Sequence, residues 1–533
     1  MLKRLTVPVI LLSAMVCAVS GINHSPLSDA APLPANTQTV NLASQATIDT
    51  QASEPDTHFA QQEQTYAASL LSTSAWHAFY YQGTRDITIH LQKISTVSSL
   101  SIQFQQEASL GVFYPNQVDF QVLKNGTWYS LGTRYSAIPK SDKRITTQYY
   151  SVHTGPVVGQ DFRLHFAVGV WSFARNLSIL GTPGSSASPA GTPALVPVKS
   201  TPVTWTGPLS PSSPRAHGIR NMLLVYATDP NHLWSQSDFL PTVGYMSRSG
   251  QISGHMFDTI QFMAGAGPDT AASWQAYLQN LFTAGRELSA LDAAVGQVNQ
   301  TLGTPNYKEK VVIMLPYAAY GDGYFGNVNG EALNFSGSPA DPNALNARSV
   351  AMRWFVSSFL SSWNQANYAN LELSGLYWGN ESIPTESPGE MQLIQDASTL
   401  ARQDGLPLFW IPFYGAQGAT AWQSAGFTAA WLQPNFAEQG TNPDITRLDS
   451  SVTIAKKYGM GTELELLDLT PTSINLYEES LLTLEQDGMG AQASHALYAG
   501  GHFFVDAANS SDMSIRPLYD QTYNFLQLSP SSP

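Results

Sequence analysis

Three glutamates stand in strand-like contexts, where a carboxylate is expensive to bury without a partner or a task. Two of them, Glu463 and Glu465, occur in Gly461-Thr462-Glu463-Leu464-Glu465-Leu466. Alternation of side chains along a strand puts both on one face. The third, Glu381, closes the run Leu376-Tyr377-Trp378-Gly379-Asn380-Glu381. The ends of neighbouring apolar runs supply Tyr317, Tyr377, Trp378, Trp410, Tyr414 and Trp422, together with the amides Asn380, Gln433 and Asn435. Flat aromatic faces stack on sugar rings and amides satisfy sugar hydroxyls, so this set reads as a saccharide cleft. Cleaving a glycosidic bond takes two carboxyl groups, one to protonate the leaving oxygen and one to act as nucleophile or base. Their surroundings must push the two pKa values apart. Glu381 is the candidate acid/base and Glu463 the candidate nucleophile, with Glu465 as its substitute. The competing reading is that these glutamates form ion pairs inside a barrel.

Eight short apolar runs must position these groups: Asn221–Ala227, Asp258–Ala264, Lys310–Tyr317, Leu373–Trp378, Leu406–Phe413, Ala429–Asn435, Gly461–Leu466 and His495–Ala499. Amphipathic stretches lie between them, at 270–300, 342–366, 388–404, 444–458 and 473–487. Eight strands alternating with helices predict a (β/α)8 TIM barrel over 217–530, whose active site lies at the C-terminal ends of the strands. A doubly wound open sheet is the structural alternative. Upstream the texture differs. Ile87–Leu91, Ser99–Phe104, Gln117–Val122 and Phe162–Phe166 alternate apolar and polar residues, which predicts an all-β sandwich (jelly roll) over 40–181. Pro, Ser and Gly dominate 182–216, which reads as a linker.

At 533 residues the chain is long enough for two cores. Its formal charge of −14, with no basic stripe, argues against a nucleic-acid partner. Lys3 and Arg4 precede the apolar run Leu5–Val16, and Ala18-Val19-Ser20 follows; this reads as a signal peptide over 1–20, cut after Ser20. Roughly a dozen apolar residues are too few to span a bilayer, so no membrane span is expected and the product is read as secreted. Residues 21–39 read as a disordered leader. Cys17, the one cysteine, lies inside the signal segment, so neither disulfides nor a Cys-bound metal is expected after cleavage. The 11 histidines show no metal-ligand spacing, and no cofactor is expected. A structural calcium in the sandwich stays open. Gly321–Gly326 reads as a loop over the barrel mouth that contributes aromatics.

Leu373–Glu381, Phe409–Tyr414, Leu432–Phe436 and Gly461–Glu465 together resemble the bacterial family called domain of unknown function 4855, across nearly the whole second domain. Asn380-Glu381 also looks like the acid/base pair that retaining glycosidases of the large TIM-barrel clan carry after strand four. Thr462-Glu463-Leu464 is similar to the nucleophile strand of that clan's xylanase branch. The first domain resembles a discoidin-type (coagulation factor 5/8 C-terminal) or carbohydrate-binding module. Gln117–Trp128, Phe162–Phe166, Trp171–Phe173 and Leu177–Gly181 carry that likeness. These resemblances imply a secreted, retaining glycoside hydrolase whose partner is a polysaccharide or cell-surface glycan. The alternative is a non-catalytic glycan-binding or cell-surface protein.

Overall fold

The computed structural model describes residues 39–52, 63–80, 83–138, 142–168, 171–184, 194–198, 207–227, 233–265, 270–319, 323–336, 341–383 and 389–528. The expected signal peptide, nearly all of the leader and much of the linker lie outside the described residues. The chain divides into two compact units, Met1–Thr201 and Pro202–Pro533.

The first unit is an antiparallel β structure around one core, which includes Phe79, Ile87, Leu100, Phe104, Phe120, Tyr150 and Phe166. Two of the alternating runs, Ile87–Leu91 and Ser99–Phe104, belong to a single strand, Gly83–Gln106. Its first half pairs with Thr47–Ala52 and its second half with Trp171–Pro183. Register shifts between His90 and Ser95 and between Val97 and Ser99 mark where its ladder with Thr146–Val168 breaks. Such irregularities bend a strand, and a bent strand can serve both layers of a sandwich.

In the second unit eight parallel strands close into a barrel: β1 (Asn221–Tyr226), β2 (Thr259–Met263), β3 (Glu309–Leu315), β4 (Leu371–Trp378), β5 (Leu408–Trp410), β6 (Ala429–Leu432), β7 (Gly461–Glu465) and β8 (His495–Tyr498). Closure comes from the pairing of β8 with β1, which registers His495 on Asn221 and rules out the open sheet. Each strand is followed in the chain by helix. These are α1 (Gln236–Val243), α2 (Ala271–Leu281), α3 (Glu287–Leu302), α4 (Pro342–Ala366), α5 (Glu390–Gln403), α6 (Trp422–Ala425), α7 (Thr446–Tyr458), α8 (Pro471–Gln486), α9 (Met489–Gln492), α10 (Phe503–Asn509) and α11 (Arg516–Leu526). The amphipathic stretch 270–300 is two helices rather than one, because the chain turns between them at Gly285, whose φ of 72° lies in the left-handed region. Local chemistry sets helix ends. Before α8, the Thr470 side chain accepts from the Ser473 N–H and Pro471 occupies the first turn; α4 ends on Asn367 in the left-handed conformation. Among the described residues no helix is long and apolar enough to cross a membrane.

Alternation divides the barrel strands into two packed faces. Met222, Leu224, Met263, Val312, Tyr377, Phe409, Ile411, Ala429, Trp431 and Ala496 share one cluster, inside the barrel. Leu223, Val225, Ile260, Phe262, Val311, Ile313, Leu376, Trp378, Trp410, Leu432, Leu464 and Leu497 pack in the other, with the helices. Large and small residues interdigitate inside: a Cβ on Gly461 would lie 2.3 Å from the Trp431 ring and 2.4 Å from the Ser494 carbonyl. The segment expected to be linker ends earlier than 216. Leu209 and Ala216 are fully buried members of the interior cluster, and Leu209 exchanges backbone hydrogen bonds with Met460 and Ser494. Part of the glycine-rich loop is ordered as a hairpin, Tyr324–Val328 with Glu331–Asn334; Phe325 is buried against Trp274 and Phe335, so it anchors the hairpin, and Tyr324 is exposed.

Candidate active site

Following the inward parity of each strand to its C-terminal end gives Tyr226 on β1, Met263 on β2, Met314 on β3, Tyr377 on β4, Glu463 and Glu465 on β7, and Tyr498 on β8. Gln433 continues the inward set just beyond β6, bridged to Phe413. The register places Tyr498 beside Glu465 and Tyr377 beside Met314. Glu381 follows β4 after a short bend and is exposed.

The carboxylates form one electrostatic group. Glu463 is 1% exposed and its Oε2 has no hydrogen-bond partner. Burial, then the charges of Glu465 and Glu381, push its carboxyl well above the usual range, and Gln433 partly opposes this by hydrogen bonding. Glu465 is pushed up to about 8, by burial first and then by Glu438 and Glu381, while the backbone N–H groups of Asn435 and Phe436 donate to it and pull it back. Glu381 is raised to about 7, by burial first and then by Glu438, with Gln433 again lowering it. Water reaches Glu381, so its burial is that of a concave wall packed closely with protein and not that of a sealed interior. The phenols of Tyr226, Tyr377 and Tyr498 are also raised, chiefly by burial, with the same carboxylates adding to it. Among the described residues no group of three or more His, Cys, Asp or Glu is arranged to hold a metal ion.

Several residues expected to line a sugar cleft do something else. Trp378 and Trp410 have the outward parity: both are 0% exposed and pack among the helices. Trp410 stacks on Phe427, and its indole N–H donates to the Asn380 carbonyl at 2.8 Å, so it braces the peptide before Glu381 from behind. Trp422, 1% exposed, donates to the Tyr458 carbonyl at 3.0 Å. None of these three rings offers a face to a ligand. Tyr414 is buried, and Arg447 lies 4.9 Å over its ring. Half-buried Tyr317 packs edge-on to Trp378, and its hydroxyl is hydrogen-bonded to Glu390 and to the Asn380 side chain. Asn435 spends both ends of its amide on protein: Oδ1 accepts from the Tyr414 N–H at 2.9 Å, and Nδ2 donates to Gln433 Oε1 at 3.0 Å. The structure therefore brings together Glu381, Glu463, Glu465, Tyr377 and Gln433, with Asn435 behind Gln433.

Sequence reasoning missed Tyr226, Tyr498 and Glu438. The two tyrosines end the first and eighth apolar runs, the position already used to choose residues from runs four to seven, so that signal was present. Glu438 lies on a short 3-10 turn, Ala437–Gln439, where nothing in the sequence marks it.

A closed parallel barrel with four carboxylates gathered at the C-terminal ends of its strands, in a chain that also carries an all-β unit, defines the class of protein. Residues 221–524 match the family described as domain of unknown function (DUF4855), more than half of the chain, and the protein belongs to that family. No curated protein matches the sequence. Among solved structures the chain is similar to the CBM22-1–GH10 modules of a Clostridium thermocellum endo-1,4-beta-D-xylanase complexed with xylohexaose: 8% identity over 92% of this chain and 94% of that one, TM-score 0.33. It is also similar to the family 32 carbohydrate-binding module of C. perfringens NanJ in complex with galactose, at 12% identity over 27% of this chain and 99% of that one, TM-score 0.20. An F5/8 type C domain from Bacteroides fragilis gives 13% identity over 28% and 99%, TM-score 0.19.

Proposed function

We propose that the second unit is a (β/α)8 glycoside hydrolase acting on an extracellular polysaccharide by retaining double displacement, and that the first unit binds glycan. The observation that carries the reading is the convergence of Glu463, inward-facing on β7, and Glu381, just after β4, around the Gln433 side chain, which lowers the pKa of both carboxyls. A carboxyl separation of about 5–5.5 Å marks a retaining pair, the arrangement assigned here to Glu381 and Glu463.

In this mechanism Glu381 gives its proton to the glycosidic oxygen as the Glu463 carboxylate attacks the anomeric carbon. The C–O bond breaks, the leaving sugar departs as an alcohol, and a glycosyl-Glu463 ester remains. Glu381, now a carboxylate, takes a proton from water as that water attacks the same carbon and frees Glu463. Glu463 is preferred to Glu465 as nucleophile because its Oε2 is free to form a bond, whereas backbone N–H groups already occupy Glu465. The two titrate as a pair, and the positive charge building on the sugar draws the negative charge onto the oxygen that faces it.

With its pKa raised to about 7, Glu381 is still about half protonated at neutrality, where an ordinary glutamate is fully ionised, so turnover should fall as pH rises through about 7. Glu381→Gln should lower polysaccharide cleavage by roughly 10²–10⁴-fold and remove that alkaline limb. Dinitrophenyl glycosides, whose leaving group needs no proton, should lose far less in the first step. Unchanged polysaccharide cleavage in this variant would remove Glu381 from the mechanism. If the unaltered protein binds polysaccharides and releases no product from any of a broad panel, the non-catalytic glycan-binding reading replaces this one. Export is part of the same proposal, supported by Lys3, Arg4 and the apolar run after them. N-terminal sequencing of the secreted chain should begin at Gly21, and a chain retained in the cell with Met1 intact would contradict it.

A further inference from the structure

Asn435 has the residue type of a ligand contact, yet each end of its amide is already bonded to protein. Its Oδ1 accepts from the main-chain N–H of Tyr414 at 2.9 Å, and its Nδ2 donates to Gln433 Oε1 at 3.0 Å. A backbone N–H can only donate, so the Tyr414 end of this chain has a fixed polarity. That polarity propagates. Asn435 must turn its oxygen to Tyr414 and its NH2 to Gln433; Gln433 must then turn its oxygen to Asn435 and its NH2 away from it. On that far side stand Glu463, which the β6–β7 register places next to Gln433, and Glu381, and the Gln433 side chain lowers the pKa of both carboxyls.

We propose that Asn435 is a positioning residue that fixes which end of the Gln433 amide faces the two carboxylates. Its backbone fits the task. Asn435 has a φ of 51°, a left-handed conformation that asparagine tolerates better than most residues. The Gln433 N–H donates to the Pro412 carbonyl at 2.9 Å, which ties down the other end of the segment. The same turn aims the Asn435 and Phe436 N–H groups at Glu465. Residues 433–436 thus carry donors for all three carboxylates, and a reversed Gln433 amide would present a carbonyl oxygen where two of them need a donor. The inference rests on Glu381 and Glu463 as the working pair, but its test reads proton affinity and needs no turnover. Failure of the hydrolase reading and failure of this one are therefore distinguishable.

Asn435→Gly keeps the left-handed backbone accessible and removes both side-chain bonds. The carboxyls of Glu381 and Glu463 are followed by ¹³C NMR in the full chain, assigned with E381Q and E463Q. The other titratable groups facing them are Glu438, Glu465, Tyr226, Tyr377 and Tyr498, which the variant leaves in place. Losing one amide donor of ordinary strength should raise both midpoints by about 0.5–1 pH unit. Midpoints that stay where they are, even with a lower melting temperature, would reduce Asn435 to a structural residue and overturn the proposal. A second readout uses the unaltered protein, should the glycine variant not fold. The Gln433 side-chain NH2 resonances should move with the titration of Glu381 and Glu463; resonances that ignore it would likewise overturn the assignment.

Discussion

Replacing Glu463 by glutamine should abolish turnover, by on the order of 10⁴–10⁶-fold, and should also make the protein more stable at neutral and alkaline pH. The first effect follows from chemistry: an amide cannot form the glycosyl ester, and among the described residues of the cleft no other carboxylate has an unbonded buried oxygen in the same place. The second follows from linkage. Glu463 has a folded-state pKa raised above the ordinary glutamate value, so it contributes its full stability only below the unfolded pKa, near 4.5. That contribution is lost as pH rises through the folded value, because folding must then keep a charge buried beside Glu465 and Glu381. Glutamine fills the same space and never ionises. Thermal midpoints of the two proteins should therefore agree near pH 4 and separate in favour of the variant as pH rises. A variant that releases product at the wild-type rate would remove Glu463 from the nucleophile role, and Glu465→Gln would then be the variant to test for it. A variant inactive but no more stable at pH 9 would mean that Glu463 is not held at a cost in the folded protein.

How far such a site can be read from sequence depends on which physical contrasts a strand displays. On β7 the alternation of glutamate with leucine announces its own faces, and Glu463 and Glu465 do lie on the same side as expected. On β5, and on β4 after Glu372, every residue is apolar or small, because barrel strands are buried on both faces. Nothing in Leu376-Tyr377-Trp378 distinguishes inward from outward, and both aromatics were assigned to the cleft when a period of two permits only one. The interior packing settles it: Tyr377 joins the inner cluster and Trp378 the outer. The eight apolar runs were legible because each is short and bounded. The division of 270–300 into two helices was hidden by continuous amphipathicity across Gly285. Glu438 was invisible for a different reason. Its role comes from the charge it adds beside Glu381 and Glu465, a long-range proximity that local spacing cannot carry.

The same limit concealed the charge pair whose loss should cost the most stability. Arg348 on α4 and Glu390 at the head of α5 are each 1% exposed, and the guanidinium Nη2 donates to both carboxylate oxygens, at 3.2 and 2.9 Å. Arg348 Nε also donates to the Ala318 carbonyl at 2.6 Å, just beyond β3. One side chain thus joins the segment after β3 to the helix that follows the Glu381 segment. Tyr317 lies between them, bonded to Glu390 and to the Asn380 side chain, so the pair reaches the residue next to the proposed acid. Arg348→Met keeps most of the volume and removes the cation that faces the buried Glu390 carboxylate. Breaking a pair of this kind costs about 3–5 kcal/mol, whereas replacing both partners by apolar residues is often neutral or stabilising. The single variant should therefore unfold at much lower urea concentration, with the double variant Arg348→Met/Glu390→Met recovering most of the loss. If the double variant were as unstable as the single one, the Ala318 contact or the packing of the guanidinium would be the larger contribution. If the single variant lost less than about 1 kcal/mol, the carboxyl of Glu390 must shed its charge by taking up a proton, and stability of that variant would then fall as pH rises.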